Sequence, residues 1–366
     1  MHIVYYTLME QTIWNTYTEN TEAWKAMLIA CENATETIDL ENFIFEKDEL
    51  GNHFIEVCTR KASLGVRVRF IWDAAGSFSF FSSSIVEELK NKGIELVFFK
   101  TLLPSIFTFH RYRSWYFRNH RRTMIIDGKT GFTGSVSISQ RTEKWRDTNV
   151  ELQGPVVKDM QDEFEKMWAR AKGNKVSEGF AKKNDYEFQY ITNTPLLRKH
   201  HLYRTIVEAI RNAKRNIYIT TPYFVPTHRI ARVLRLAAHR GVSVHILIPE
   251  KSDYPIVDLG ARTFFHKLLK SGVRIYLYRG SLLHCKTIVI DDDWASVGTL
   301  NIDHISLLYN FEANIVTSNR QFVAELDAHF QKDIHNTEYI TLEQWNNRYF
   351  LEKISTFCVK IIRIFL

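Results

Sequence analysis

The chain has 366 residues, 45% hydrophobic and 24% charged, a globular balance that excludes wholesale disorder. Its formal net charge of +7 selects an anionic partner: nucleic acid, a phospholipid surface or a phosphorylated small molecule. The scattered cysteines Cys31, Cys58, Cys285 and Cys358 form no C-x-x-C pair, which argues against a zinc ribbon, a redox motif and a disulfide framework.

In chain order, the periodicity predicts a helix over Thr21–Ala34, a strand over Ile38–Phe45, a helix over His53–Gly65, a strand over Val66–Ala74, a helix over Glu87–Gly93 and a strand over Ile94–Phe99. The order then repeats. Helical patterns at Leu202–Arg215, Arg229–Gly241 and Phe265–Gly272 precede strand-like runs at Ile217–Val225, Val242–Glu250 and Val273–Tyr278. Asn33 pairs with Asn212 and Gly93 with Gly272, both 179 apart, so the chain is written twice. The alternation predicts an α/β architecture with largely parallel strands. The expected division is a first lobe over 1–172, a linker over 173–192, a second lobe over 193–345 and an amphipathic tail over 346–366.

Register breaks once. Gly93 to His120 is 27 residues and Gly272 to His284 is 12, so the first half carries an insertion of 15, about 101–115. No acid lies between Glu95 and Asp127, where Lys100, Arg111, Arg113, Arg118, Arg121 and Arg122 alternate with aromatics such as Phe107, Tyr112 and Trp115. This is the composition of a bilayer-interface anchor. A single-stranded nucleic-acid groove or a half-buried loop with a basic edge would show it too. The tail, Phe350 to Leu366 with Lys353, Lys360 and Arg363, reads as an amphipathic segment on an anionic interface or as a helix packed on the body. The N-terminus lacks signal-peptide regions and no window approaches the ~20 apolar residues of a spanning helix, so a membrane would be met from its surface.

The chemistry-bearing residues sit late in each half. NHRRTMIIDGKTGFTGSVSIS supplies His120, Arg122 and Asp127, and LHCKTIVIDDDWASVGTLNID supplies His284, Lys286 and Asp291. Gly134 and Gly298 follow their histidines by 14, Ser135 and Thr299 by 15, and Ser137 and Asn301 by 17. Carboxylates follow at 27 (Asp147) and 28 (Glu312). Chance supplies the short triplet only about 0.08 times in a chain of this composition. Alternation along a strand points His and the cation at i and i+2 the same way. An imidazole beside a cation, with a hydroxyl or amide near, suits one tetrahedral phosphate. Two such halves make a complete site in one chain, so no oligomer is required. They support double displacement: one His attacks phosphorus, the other handles the leaving and entering protons. Asp147 and Glu312 would fix the ring tautomers, and Arg122 and Lys286 would neutralise the non-bridging oxygens. Asp127 and Asp291 either touch substrate or brace loops. No metal or cofactor is expected. Gly128-Lys129-Thr130 lacks the first glycine of a P-loop, and His200-His201 has no ligand cluster around it.

With these motifs the chain resembles the phospholipase D superfamily, whose signature is a paired His-x-Lys-x4-Asp. LENFIFEKDELG, WRDTNVELQGPVV, TPYFVPT and GTLNIDHISLLYNFEANI make it most similar to bacterial cardiolipin synthases. The resemblance implies an α/β fold of two similar lobes, each a mixed β-sheet flanked by helices, related by a pseudo-two-fold axis with one site between them. It implies a phosphatidyltransferase that joins two phosphatidylglycerols into cardiolipin plus glycerol, with His120 as nucleophile and His284 as acid/base. The expected partner is an anionic phospholipid surface, with peripheral attachment at the cytoplasmic face of a bacterial inner membrane and no nucleic acid. Hydrolysis to phosphatidic acid is the nearest rival, and a nucleic-acid phosphodiesterase or a non-enzymatic lipid-binding protein are further ones. Two positions depart from symmetry or signature: Arg122 stands where Lys is usual, and Ser137 stands opposite Asn301.

Overall fold

A computed structural model describes residues 11–81, 83–99, 117–176, 187–195, 199–335 and 337–348. The basic aromatic insertion and nearly all of the apolar tail lie outside these residues. In the first lobe, β1 (Ile13–Glu19) leads into α1 (Asn20–Asn33), β2 (Thr37–Asn42), α2 (Glu49–Ser63), β3 (Arg67–Asp73), α3 (Ser83–Asn91) and β4 (Ile94–Phe99). Then come β5 (Thr123–Ile126), β6 (Thr130–Gly134), β7 (Arg146–Gln153) and α4 (Val156–Ala171). The second lobe runs β8 (Phe188–Thr194), β9 (Lys199–His200), α5 (His201–Asn212), β10 (Asn216–Thr220), β11 (Phe224–Val225), α6 (His228–His239), β12 (Ser243–Pro249), α7 (Pro255–Lys270) and β13 (Arg274–Tyr278). It closes with β14 (Thr287–Ile290), β15 (Trp294–Gly298), β16 (Ile302–Asp303), α8 (His304–Leu308), β17 (Glu312–Thr317), α9 (Arg320–Ile334) and α10 (Leu342–Asn346).

The sheet orders are β1-β7-β6-β5-β2-β3-β4 and, mirrored, β13-β12-β10-β14-β15-β17-β8-β9. Only the helix-connected strands, β2-β3-β4 and β10-β12-β13, pair in parallel within these two sheets. From β5 and β14, the strands that follow the two histidine motifs, onward the pairs are antiparallel. The largely parallel sheet read from the helix–strand alternation is therefore corrected to a mixed one. Tight turns, such as Asp127–Lys129 between β5 and β6, need no crossover helix, so they left no helical period to read. Residues 188–192, read as linker, form most of β8, which pairs with β17 as β1 pairs with β7.

Local chemistry sets the element ends. The Asp48 side chain accepts the Gly51 N–H at 2.8 Å to start α2, and Arg60 and Lys61 sit in its last turn, where the helix dipole favours cations. The landmark glycines Gly93 and Gly272, at φ of 82° and 89°, turn the chain from α3 and α7 into β4 and β13.

Each sheet buries its outer face under its own helices, α1 and α2 in the first lobe and α5, α6 and α7 in the second. The inner faces share a third core, in which α4 and α9 pack with Ile125, Val150, Val289 and Val297 from both sheets. The two lobes are thus one packed body rather than beads on a linker. Phe322 of α9, fully buried, sits edge-on to Trp14 and Phe188 at ring distances of 5.7 and 5.4 Å. Phe322→Ala is expected to cost about 3–5 kcal/mol. Urea unfolding followed by far-UV circular dichroism should show a single transition moved to lower urea, not the loss of one lobe.

Candidate active site

The two motif histidines are placed by backbone bonds that cross between the lobes. His120 N–H donates to Phe311 O at 3.0 Å, and Phe311 N–H donates back to Arg118 O at 2.9 Å. On the other side of the pseudo-two-fold axis, His284 N–H donates to Arg146 O at 2.8 Å, and Arg146 N–H to Leu282 O at 2.9 Å. The residue after Phe311 is Glu312 and the residue after Arg146 is Asp147. Each carboxylate is thereby delivered to the histidine of the other half. Glu312 Oε2 lies 3.1 Å from His120 Nδ1, and Asp147 Oδ2 lies 2.8 Å from His284 Nδ1. Matched spacing from each half's own His had marked these carboxylates as tautomer holders, but a one-dimensional spacing could not reveal that they exchange partners.

With Nδ1 donating to a carboxylate, Nε2 of each ring carries the lone pair and faces the cations. Lys286 Nζ is 3.1 Å from His284 Nε2 and donates to His284 O at 2.7 Å. Both terminal nitrogens of Arg122 are 3.5 Å from His120 Nε2, and Nη1 donates to His120 O at 3.2 Å. Burial pushes His284 down to about 3, helped by the Lys286 charge and opposed by Asp147. Burial also lowers His120, against the pull of Glu312 and with the push of Arg122 and Lys286. Both rings are therefore neutral before an anion arrives. Lys286 is itself pushed down to about 7 by burial, though Asp147 opposes this. Asp147 is held at about 2: burial raises it, and the His284 contact outweighs that.

Ser135 and Thr299 hydroxyls donate to Asp147 and to Glu312 respectively. They orient the carboxylates of their own lobes, and the carboxylates orient the opposite rings. The expectation that these hydroxyls serve the phosphate directly is replaced by this relay. Ser137 Oγ accepts from Arg122 Nε at 3.2 Å, whereas Asn301 Nδ2 turns to Ser306 Oγ at 3.3 Å. The two departures of the first half therefore touch each other: the longer guanidinium occupies room that a smaller side chain leaves.

Asp127 and Asp291 lie at the far ends of the catalytic strands, roughly 20 Å from their histidines at ~3.3 Å per residue. Both adopt left-handed backbone, with φ of 53° and 52°, which Asp tolerates better than most residues. Asp127 accepts the N–H groups of Thr35, Glu36 and Thr37, and Asp291 those of Lys214, Arg215 and Asn216. Of the two readings left open for them, the geometry selects the brace: each ties the turn after a catalytic strand to the start of β2 or β10.

Several residues near the site carried no role in the sequence reading. The Phe43 ring stands edge-on to His120 at 4.8 Å and lies 5.7 Å under the Arg122 guanidinium. Trp145 stands 5.0 Å from His284. Tyr223 donates to Asp253 at 2.6 Å. Their segments, LENFIF, WRD and TPYF, were visible as family signal, but neither the Phe43 contact within the first lobe nor the Trp145 contact across lobes has a sequence period. Asp303 is a fourth. It caps α8 by accepting the Ser306 N–H at 2.7 Å, and burial, with the Glu312 charge, pushes it up to about 7.

Two neutral imidazoles, each beside a buried cation and clamped by a carboxylate from the opposite lobe, can act on one phosphodiester by double displacement. That defines a two-histidine phosphoryl-group transferase on a duplicated α/β fold. The chain matches the family described as "Cardiolipin synthase, PLD-like domain" over residues 27–168 and again over 206–334, and it belongs to that family, within the phospholipase D superfamily. It is 34% identical over 346 residues to a cardiolipin synthase of Halalkalibacterium halodurans, covering 90% of this chain and 68% of that one. It is 32% identical over 337 residues to a probable cardiolipin synthase of Bacillus subtilis, covering 87% and 65%. The chain thus spans about two thirds of the length of these relatives. A phosphatidylserine synthase structure from Haemophilus influenzae shares the fold with a TM-score of 0.73 at 14% identity, covering 96% of this chain and 95% of that one. A polyphosphate kinase structure from Porphyromonas gingivalis gives 0.62 at 11% identity, covering 93% and 50%. Among the described residues no helix is long and apolar enough to cross a membrane.

Two predictions arise from this geometry. Arg122→Lys alone strands the Ser137 hydroxyl and should lower turnover about tenfold, the scale of one lost charge-assisted hydrogen bond. Arg122→Lys/Ser137→Asn should recover part of it, so a double-mutant cycle on kcat should be non-additive. For Asp303 the folded value, about 7, exceeds the unfolded value of about 3.9, so its contribution favours the fold below pH ~4 and is lost as pH rises through 7. Asp303→Asn keeps the cap and removes the titration. Its gain in Tm over the wild type should be larger at pH 8 than at pH 5.

Proposed function

We propose that this chain is a phosphatidyltransferase of cardiolipin synthase type, converting two phosphatidylglycerols to cardiolipin and glycerol. The observation that carries the reading is the crossed clamp: two imidazoles, their Nδ1 atoms held by Glu312 and Asp147, present Nε2 to a common centre between Arg122 and Lys286. In the first step His120 Nε2 bonds to phosphorus as the bond from phosphorus to the glycerol headgroup oxygen breaks. The His284 imidazolium gives that oxygen its proton, releasing glycerol. An anionic phosphodiester between the rings favours this charged form, which burial and Lys286 disfavour in the empty site. In the second step a hydroxyl of another phosphatidylglycerol attacks phosphorus, its proton passes to His284, and the N–P bond breaks. Arg122 and Lys286 compensate charge on the non-bridging oxygens.

Transfer rather than hydrolysis is supported by the relatives, named as cardiolipin synthases, and by the depth of the site. His120 and His284 are only 8% and 5% exposed, so the phosphohistidine is shielded from bulk water. The partner is an anionic phospholipid surface, with peripheral attachment at the cytoplasmic face of a bacterial membrane.

Purified protein incubated with phosphatidylglycerol vesicles should yield cardiolipin and glycerol by thin-layer chromatography. Phosphatidic acid instead would make it a hydrolase, and oligonucleotide cleavage without lipid product would overturn both lipid readings. His120→Ala and His284→Ala should each abolish turnover. Glu312→Ala and Asp147→Ala should each lower it by about 10²-fold or more, the scale of acid–base assistance.

A further inference from the structure

A soluble fold that takes its substrate from a bilayer must hold its site mouth against the lipid. Exposed apolar side chains grouped at that mouth, with cations beside them, are the physical means. Among the described residues, Phe78 is 65% exposed, Tyr254 56% and Ile256 44%. They occupy equivalent places in the two lobes, with Ile256 in the first turn of α7. Phe78 follows β3 and the other two follow β12, both second from the outer edge of their sheets, and both loops leave the carboxyl ends of parallel strands.

Each loop is a short step from its own lobe's half of the site. The Ser77 hydroxyl donates to Phe43 O at 3.1 Å and accepts the Phe45 N–H at 3.0 Å, and the Phe43 ring stands 4.8 Å from that of His120. On the other lobe, the Tyr254 ring meets Tyr223 edge-on at 5.7 Å, and the Thr221 hydroxyl ties the Tyr223 carbonyl at 3.0 Å to the Ile302 N–H at 3.2 Å, next to Asn301 of the second motif.

Neither loop is slack. The Phe78–Phe80 turn is anchored by Phe80, which is buried against Trp72 and Phe45 at 5.2 and 5.8 Å, so Phe78 is turned outward by its neighbour's burial. Tyr254 opens α7, where its N–H donates to Ser252 Oγ at 3.1 Å and the Ser252 N–H donates to Asp258 Oδ2 at 3.0 Å. Each loop adjoins a lysine. The Lys47 N–H donates to Ser79 Oγ at 3.1 Å, and the exposed Lys251 lies three residues before Tyr254. Aromatic rings at headgroup depth beside lysines match an interface that is apolar below and anionic above.

We propose that Phe78 on one lobe and Tyr254 with Ile256 on the other form a two-pronged rim that inserts into an anionic phospholipid interface, with Lys47 and Lys251 at headgroup level. The inference rests on the lipid reading of the site for its partner, but not for its test. The rim straddles the boundary between the lobes, so both prongs entering one plane set the site mouth over the headgroups.

The test is co-sedimentation with vesicles of equal parts phosphatidylglycerol and phosphatidylcholine, using the full chain and the triple variant Phe78→Ser/Tyr254→Ser/Ile256→Ser. All three side chains are exposed, so the variant should keep the wild-type Tm. Its partition to vesicles should fall about tenfold or more, while turnover of monomeric short-chain phosphatidylglycerol stays at the wild-type rate. Lys47→Glu/Lys251→Glu should weaken binding to these vesicles and leave binding to pure phosphatidylcholine unchanged. A triple variant that partitions like the wild type overturns the rim. A triple variant that changes only the oligomeric state of the free protein also overturns it, making the patch a protein contact. Absence of lipid product from the wild type on either substrate form would defeat the catalytic reading, while the partition result would still decide the rim.

Discussion

The structure depends on two short backbone exchanges that cross the pseudo-two-fold axis, one joining Arg118–His120 to Phe311 and the other joining Leu282–His284 to Arg146. They are isolated bridges, outside the main sheets. Their value is positional. A parallel bridge fixes the register of the residues next in the chain, so Glu312 and Asp147 arrive at the opposite rings within hydrogen-bond distance. Further bonds hold the first exchange from behind: Asp73 accepts the Asn119 N–H at 3.0 Å, and Glu41 accepts from Asn119 Nδ2 at 2.8 Å. Arg146 is tied on the other side to Asp333 of α9 at 3.0 Å.

This arrangement explains why so many polar side chains sit in the middle of the molecule. A buried carboxylate without partners would be costly, and each of the two clamping carboxylates has at least two, those of Glu312 both on Oε2. Asp147 has His284, the Ser135 hydroxyl and the Thr148 N–H at 2.8 Å. Glu312 has His120 and Thr299. The glycines before the hydroxyls serve the same packing. A Cβ at Gly298 would stand 2.3 Å from Ala313 O, so only glycine lets β15 lie this close to β17 and bring Thr299 beneath Glu312. Electrostatics and close backbone approach are thus parts of one device.

Much of this was legible in the sequence, and the reason is repetition. The helix–strand alternation, the duplicated landmarks and the paired motifs each occur twice, so each copy corroborated the other. His120, Arg122, His284, Lys286, Asp147 and Glu312 were all marked by spacing, and the structure brings them together. The features that stayed hidden have a common cause. Partner exchange between the carboxylates and the Trp145 contact depend on how one lobe faces the other, and the Ser135, Thr299 and Phe43 contacts depend on how distant segments of one lobe fold together. Position along a chain carries no trace of that. The mixed sheets followed from the family resemblance, whereas the helix–strand alternation alone suggested largely parallel ones because hairpin strands show no helix between them. For Asp127 and Asp291, fixed spacing from the histidines left contact with substrate and bracing of loops equally open. A strand's length separates the two aspartates from the histidines, and their left-handed backbone marks them as turn residues.

The crossed clamp also bears on how such a chain could arise. A single half has a histidine but must borrow the carboxylate that sets its tautomer, so an ancestor with one copy would work only as a self-complementary pair. In that pair every substitution appears on both sides of the axis at once. Fusion of the two copies removes that obligation and lets each side change alone. The Arg122–Ser137 pair, which has Lys286 and Asn301 as its counterparts, is an asymmetry that only a fused chain can hold, because a self-complementary pair would carry it on both sides.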